Sequence, residues 1–215
     1  MERRFGTRFD PFTEVVPLLG SKEGISHLAF AYLEPGAVAI IPEPGYNPYQ
    51  GGTLLSSGEP YRYPLRPRTD FLLDVDEIPR EVLDRTRIIY LNYPNNPTAA
   101  IAPRDYLEHV VRVCRERDIL LVYDNAYSEI AFDGYVPPSI FEIDGARDVA
   151  IEFHSMSKTY NMTGWRCGWA CARPEIAAAL AKVKTFVDTG QFMAVQSAAV
   201  AALDRLARTC GIRVA

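Results

Sequence analysis

The chain has 215 residues and a formal net charge of −4, with 48% hydrophobic and 23% charged residues, values ordinary for a globular protein with one substantial core. The slight acidity and the lack of long Lys/Arg runs argue against a nucleic-acid surface, and no apolar stretch is long enough to predict a membrane span. Cys114, Cys167, Cys171 and Cys210 form no C-x-x-C pair and no zinc spacing, so we expect no metal site and a reduced, cytoplasmic setting.

Strand-like and helix-like patterns alternate along the chain. Near-continuous Val, Ile and Leu runs are typical of buried strands, and apolar residues at helical spacing are typical of amphipathic helices. In chain order, these patterns predict a helix at 21–33, a strand at 37–42, a strand at 87–94, a helix at 103–118, a strand at 119–125, a strand at 148–155 and a helix at 173–188. The repeated strand–helix–strand order predicts an α/β fold with a mostly parallel sheet.

Polar clusters follow three of the predicted strands. They are "NYPNNPT" (92–98), "YDNAYSE" (123–129) and "FHSMSK" (153–158). In parallel α/β sheets, ligands bind outside the carboxyl ends of the strands. We therefore expect the three clusters to meet in one crevice.

Lys158 and Arg166 lie in a Gly-, Thr- and Trp-rich segment whose composition predicts partial burial. Each alone has an ordinary explanation, as a solvated lysine and as a structural ion-pair partner. Ser155, Ser157 and Arg166 together would suit a phosphate, because two hydroxyls and a guanidinium can donate to one anion. The Gly-Ser-Lys sequence at 20–22 would add exposed backbone N–H groups, although most such loops are only helix starts.

Asp124 ends an apolar strand, where an unpaired carboxylate is costly. It is either a turn or helix cap or the partner of a cationic ring nitrogen. Tyr127 is either a core tyrosine with its hydroxyl at the surface or a hydrogen-bond partner of a phenolate on the same ring. Asn96 lies in a sequence that makes a good turn unaided. A lysine, such a carboxylate, such a phenol partner and a phosphate site are together the groups that hold pyridoxal 5′-phosphate.

Three motifs carry a family resemblance. "SMSKTYNMTGWRCGW" (155–169) resembles the lysine signature of the class I/II aminotransferases, the fold-type-I group of pyridoxal-phosphate enzymes. "YPNNPT" and "YDNAYSEI" are similar to the other two cofactor motifs of that family, in the same order. The segments 20–36 and 42–52 most resemble the LL-diaminopimelate aminotransferase group and its near relatives.

The resemblance implies a three-layer α/β/α large domain and pyridoxal 5′-phosphate as cofactor. Lys158 would bind the cofactor covalently and later move the substrate proton, as a desolvated lysine with a lowered pKa. Asp124 would bind the ring nitrogen, and Tyr127 and Asn96 would bind the ring hydroxyl. Tyr46 would stack on the ring face. The phosphate would be held by Ser155, Arg166, Ser21 and Lys22.

The resemblance also predicts the domain organisation. Residues 1–190 would form the cofactor-binding large domain, incomplete at its N-terminus, and 191–215 would begin an inter-domain helix with an atypical tail. Family members are longer, so we expect an N-terminal arm and a small domain, with its carboxylate-binding arginine, to be missing. Family members are homodimers with shared active sites, whereas this chain lacks much of that interface, so its oligomeric state stays open.

Three functions follow from these motifs. The first is an aminotransferase acting on an amino acid and a 2-oxo acid, in lysine/diaminopimelate or aspartate/alanine metabolism. The second is another fold-type-I enzyme, such as a C–S β-lyase or a cyclopropane-carboxylate synthase, because the same lysine and aspartate serve all of them. The third is a non-catalytic remnant that only binds the cofactor.

Overall fold

The computed structural model describes the backbone of residues 1–209 and the side chains of residues 1–204. The predictions about Cys210 and about the last part of the atypical tail lie outside the described residues. The strands are β1 (Val15–Leu18), β2 (Val38–Glu43), β3 (Glu59–Pro64), β4 (Thr86–Leu91), β5 (Leu120–Asp124), β6 (Ala150–Ser155) and β7 (Gly168–Ala172). The helices are α1 (Glu2–Phe5), α2 (Ser21–Tyr32), α3 (Asn47–Leu55), α4 (Arg80–Leu83), α5 (Arg104–Arg117), α6 (Ala146–Val149), α7 (Met156–Thr159), α8 (Pro174–Lys184) and α9 (Met193–Thr209).

All seven predicted elements are present in the structure. The strands predicted at 37–42, 87–94, 119–125 and 148–155 are β2, β4, β5 and β6, and the helices predicted at 21–33, 103–118 and 173–188 are α2, α5 and α8. The strand predicted to 94 ends at Leu91, because Pro94 and Pro97 favour a turn there. Sequence patterns missed β3, an edge strand with two prolines, and the short strands β1 and β7.

One mixed sheet organises the described residues. Its seven strands run in the order β1-β7-β6-β5-β4-β2-β3. The pairs from β6 to β3 are all parallel, and β7 is antiparallel to both of its neighbours, β1 and β6. The mostly parallel sheet is therefore confirmed, with β7 as its one reversed strand.

Helices cover both faces of the sheet. Ile25 of α2 and Leu180 of α8 pack with one face, while Leu107 and Val111 of α5 pack with the other, and all four side chains are fully or almost fully buried. Burial of these apolar stripes stabilises the three layers. Within residues 1–209, no helix combines the length and the apolar character needed to cross a membrane.

Large apolar side chains are exposed between the end of α8 and the start of α9. Phe186, Val187, Phe192 and Met193 are 79%, 55%, 74% and 70% exposed. Because exposed apolar surface favours association, we expect the 215-residue chain, expressed alone, to self-associate. Replacing Phe186 and Phe192 together with serine should reduce the associated fraction in sedimentation velocity.

The matched control for this prediction is Phe132→Ser. Phe132 is 76% exposed but lies in a different loop, so its replacement should leave the sedimentation profile of the chain unchanged. If the double variant and the control sediment like the original chain, the segment between α8 and α9 does not drive association.

Candidate functional site

A cavity of about 150 Å³ lies where β4, β5 and β6 end. The clusters at the three strand ends meet there, as their positions predicted. All nine candidate residues line this cavity: Ser21, Lys22, Tyr46, Asn96, Asp124, Tyr127, Ser155, Lys158 and Arg166. The structure therefore brings together every side chain that the motifs singled out, while their individual roles stay predictions.

Asp124 is the last residue of β5, and it is 4% exposed. The Tyr49 hydroxyl donates a hydrogen bond of 2.9 Å to its Oδ2 atom. Its Oδ1 atom is buried without a hydrogen-bond partner among the described residues. Burial raises the pKa of Asp124 to about 6, although the Tyr49 hydrogen bond and the charges of His154 and Lys158 oppose this rise. A buried carboxylate with one free oxygen is suited to pair with a cationic group in the cavity.

Lys158 lies on α7, the short helix that follows β6. The Ser155 Oγ atom caps this helix by accepting a hydrogen bond of 3.2 Å from the Ser157 N–H. The Lys158 side chain is exposed, and its Nζ atom lies 5.9 Å from the centre of the Tyr127 ring. The prediction that Lys158 is desolvated is therefore wrong for this chain. A four-residue helix at the mouth of the cavity leaves one side of the lysine open to solvent.

Arg166 also lines the cavity. Its backbone adopts the left-handed conformation with φ 51°, and its Nη1 atom donates 2.8 Å to the Thr163 carbonyl oxygen. Its Nη2 atom donates 3.3 Å to the Leu19 carbonyl oxygen, and its Nη1 atom lies 3.4 Å from the Ser157 Oγ atom. These contacts hold the guanidinium in one orientation, half-buried at the cavity wall.

Only glycine at position 20 lets the Arg166 guanidinium lie this close to the backbone. It has φ +79°, and a Cβ atom at this position would lie 2.1 Å from the Arg166 Nη2 atom. Gly20 also precedes α2, and no side chain caps the first turn of that helix. The backbone N–H groups at Ser21 and Lys22 are therefore free to bind an anion beside the guanidinium.

The Asn96 side chain is exposed at the cavity, and its backbone N–H donates 2.8 Å to the Asn92 Oδ1 atom. The Asn92 Nδ2 atom in turn donates 2.7 Å to the Asp124 carbonyl oxygen. The pKa of Tyr127 is raised by partial burial and by Asp124 and Tyr46, while a hydrogen bond with Asn96 acts against this rise. The turn interpretation and the ligand interpretation of Asn96 are thus compatible, because its backbone makes the turn and its side chain stays available.

Sequence reasoning did not single out Asn92, which lines the cavity, or Tyr49, which binds Asp124. Asn92 opens the "NYPNNPT" cluster and could have been found from its place at the strand end. Tyr49 lies one helical turn after Tyr46, so their spacing gave a signal that both approach the same region. Tyr49 is 1% exposed and stacks on Tyr90 with ring centres 4.7 Å apart.

We expect Tyr49→Phe to raise the pKa of Asp124 above its value of about 6, because the Tyr49 hydrogen bond stabilises the ionised form. A ¹³C NMR titration of the carboxyl group measures this pKa. Tyr90→Phe is the matched control, since it removes a buried hydroxyl from the stacked ring without touching Asp124. An unchanged Asp124 pKa in Tyr49→Phe would show that the hydrogen bond has no electrostatic role.

This chain is similar to known proteins over almost its whole length. A model of the family "Aminotransferase class I and II" matches residues 1–209. The LL-diaminopimelate aminotransferase of Desulforudis audaxviator is 52% identical over 202 residues, which cover 94% of this chain and 52% of that protein. The LL-diaminopimelate aminotransferase of Aquifex aeolicus is 49% identical over 203 residues, with the same two coverages, 94% and 52%. The chain spans about half the length of these curated relatives.

Solved structures show the same fold. An aminotransferase from Staphylococcus aureus superposes with a TM-score of 0.91 at 36% identity, covering 95% of this chain and 54% of that one. A probable N-succinyldiaminopimelate aminotransferase from Thermus thermophilus gives 0.90 at 36% identity, covering 95% and 55%. The fold is that of the α/β/α large domain of fold-type-I enzymes. The chain belongs to the class I and II aminotransferases, a family that depends on pyridoxal 5′-phosphate.

The residues present fit this cofactor. The free Oδ1 atom of Asp124 suits a protonated ring nitrogen, and the Arg166 guanidinium packs against Gly20 at the start of α2, where a phosphate would bind. Lys158 lines the same cavity and supplies an amine. When bound, the cofactor withdraws electrons from the α-carbon of an amino acid, a reaction that no side chain of the protein can perform alone.

Proposed function

We propose that this chain carries the cofactor-binding part of an aminotransferase that moves an amino group between an amino acid and a 2-oxo acid. The observation that supports the proposal is the convergence of Lys158, the half-paired Asp124 carboxylate and the Arg166 guanidinium on one cavity. An amine, an anion and a cation in one cavity match the aldehyde, the ring nitrogen and the phosphate of the cofactor.

Each proposed role follows from a position in the cavity. Lys158 attaches the cofactor and, once released, accepts and returns the substrate proton. Its exposed position on α7 leaves the Nζ atom accessible to the cofactor and to the substrate. Asp124 holds the positive charge of the ring nitrogen, and Tyr127 with Asn96 orients the ring hydroxyl. Tyr46 covers one face of the ring.

The phosphate is assigned to the part of the cavity lined by Arg166 and the start of α2. There the fixed Arg166 guanidinium and the free N–H groups at the start of α2 give a positive potential. Ser21, Lys22 and Ser155 complete this set of donors.

The proposed substrates are LL-diaminopimelate and its 2-oxo acid counterpart, in lysine metabolism. The support is the name of the relatives that are about half identical to this chain, LL-diaminopimelate aminotransferase. Aspartate or alanine is the alternative donor. We also propose a cytoplasmic setting, supported by the three free, buried cysteines among the described residues, Cys114, Cys167 and Cys171.

The test of the proposal is covalent labelling. The chain has four lysines, Lys22, Lys158, Lys182 and Lys184, so borohydride reduction in the presence of pyridoxal 5′-phosphate followed by peptide mass mapping identifies the attachment site. We expect one label, at Lys158. Labelling at another lysine instead would overturn the assignment.

A second measurement separates the reaction classes. After loading with the cofactor, release of a 2-oxo acid that keeps the carbon skeleton of LL-diaminopimelate, aspartate or alanine in a single turnover would identify an aminotransferase. Release of ammonia together with pyruvate from a cysteine conjugate would instead identify a C–S β-lyase. Labelling at Lys158 without any release would identify a chain that only binds the cofactor.

A further inference from the structure

A partly buried ion pair lies beside the loop that leads into α2. Glu23 in the first turn of α2 and Lys184 at the end of α8 are joined through the Glu23 Oε1 and Lys184 Nζ atoms at 2.5 Å. Both side chains are only 12% exposed. Neither residue lines the cavity, so neither belongs to the set that the motifs singled out.

Glu23 also binds the loop itself. Its Oε2 atom accepts a hydrogen bond of 2.6 Å from the Leu19 N–H, while the Leu19 carbonyl oxygen accepts from Arg166. Leu19 is therefore held on both sides, immediately before Gly20 and Ser21. An acidic residue at the third position of a helix that reaches back to the preceding backbone fixes the entry of the chain into that helix.

Lys184 is held by a second carboxylate. Its Nζ atom donates 2.9 Å to Asp188 Oδ2, and the Asp188 Oδ1 atom accepts from the Gly190 N–H. The His27 Nδ1 atom lies 3.3 Å from Glu23 Oε1. Burial lowers the pKa of Lys184, but its hydrogen bonds to Asp188 and Glu23 raise it above the ordinary value, so the lysine stays charged.

The negative charge of Glu23 disfavours an anion at the start of α2, and the positive charge of Lys184 reduces this effect. A carboxylate in the first turn of α2 would repel an anion at the same helix start, and a neighbouring cation reduces that repulsion. We infer that Glu23 and Lys184 are positioning residues for the phosphate of the cofactor: Glu23 fixes the Leu19–Ser21 loop, and Lys184, which Asp188 also binds, offsets part of the Glu23 charge. The inference rests on the proposed function.

The test compares two ligands that differ only in the phosphate. Dissociation constants for pyridoxal 5′-phosphate and for pyridoxal are measured by absorbance titration of the 215-residue chain. We expect Lys184→Met to weaken pyridoxal 5′-phosphate about tenfold and pyridoxal by less than about twofold. Adding Glu23→Gln to Lys184→Met should recover part of the loss, because the uncompensated carboxylate is then removed.

Lys182→Met is the matched control. Lys182 lies on the same helix, and its Nζ atom is placed over the Phe186 ring at 5.2 Å, so its removal changes the net charge equally but leaves Glu23 paired. This variant should bind both ligands like the original chain.

The outcomes separate this inference from the proposed function. If the original chain binds pyridoxal 5′-phosphate at Lys158 and Lys184→Met weakens both ligands equally, the ion pair is merely structural and the inference is wrong. If the double variant binds no better than Lys184→Met, the electrostatic part is wrong. If the original chain binds neither ligand, the proposed function itself fails. Should Lys184→Met not fold, Glu23→Ala, which removes the loop contact, must show the same preferential loss of pyridoxal 5′-phosphate.

Discussion

Lys158→Ala should abolish covalent labelling of the chain by pyridoxal 5′-phosphate and borohydride, and should lower any single-turnover transamination by at least about 10³-fold. Alanine has no amine to attach the cofactor and no base to move the substrate proton. Lys158→Arg should not restore the label, because a guanidinium stays protonated and forms no imine. Peptide mass mapping and release of the 2-oxo acid measure the two effects.

The control for this prediction is Lys182→Ala. Lys182 is exposed on α8, away from the cavity, and its loss should leave labelling and turnover unchanged. Labelling that persists in Lys158→Ala at the original stoichiometry would assign the attachment to a different lysine, and the proposed role of α7 would be wrong.

Asp124→Asn should lower transamination by about 10²–10³-fold while weakening cofactor binding only modestly. The variant keeps the shape and one acceptor for the Tyr49 hydroxyl, but it loses the negative charge that is proposed to keep the ring nitrogen protonated. A protonated ring nitrogen would increase the electron-withdrawing power of the bound cofactor, so the charge should affect the rate more than binding. Single-turnover rates and absorbance titrations give the two quantities, and equal small losses in both would reduce Asp124 to a cap of the turn after β5.

Although Asp124→Asn should lower activity, it should raise the stability of the cofactor-free chain above about pH 6. Because burial raises the pKa of Asp124 from 3.8 to about 6, the folded state binds its proton more tightly than the unfolded state. Stability therefore falls as pH rises between about 4 and 6, and the loss is complete above pH 6. Asp124→Asn should remove this loss, so its denaturation midpoint should exceed that of the original chain at about pH 8 but not at about pH 3.5.

Asp118→Asn provides the matched control for both measurements. Asp118 ends α5 in the left-handed conformation with φ 54°, which asparagine also adopts, and it is exposed and does not line the cavity. The same chemical change there should alter neither turnover nor the dependence of stability on pH.

Much of this site could be predicted because it depends on strand ends. Asp124 and Ser155 close two apolar runs that are visible in the sequence, and a parallel sheet places such ends side by side. Contacts that depend on the packing of distant helices could not be predicted. The hydrogen bond from Tyr49 to Asp124 joins residues 75 apart, and the pair of Glu23 and Lys184 joins residues 161 apart.

The exposure of Lys158 was not predictable for a different reason. Aromatic and small neighbours in the sequence indicated burial, but burial depends on which way a short helix turns each side chain. On α7, Met156 and Ser157 are buried, whereas Lys158 is turned outward at the mouth of the cavity. A pattern of four residues is too short to define a helical face.

The position of β7 has a consequence for biosynthesis. Its antiparallel course brings Gly168 between Ser155 and Leu18, and β1 pairs with no other strand of the described sheet. The bond from Arg166 to Leu19 spans 147 residues. On the ribosome, β1 and the loop after it therefore emerge long before their partners, and the proposed phosphate site cannot form until β7 has been translated. Cofactor added to a nascent chain would bind and stabilise only chains in which β7 has been translated and paired. Binding would therefore show that this edge of the sheet is complete.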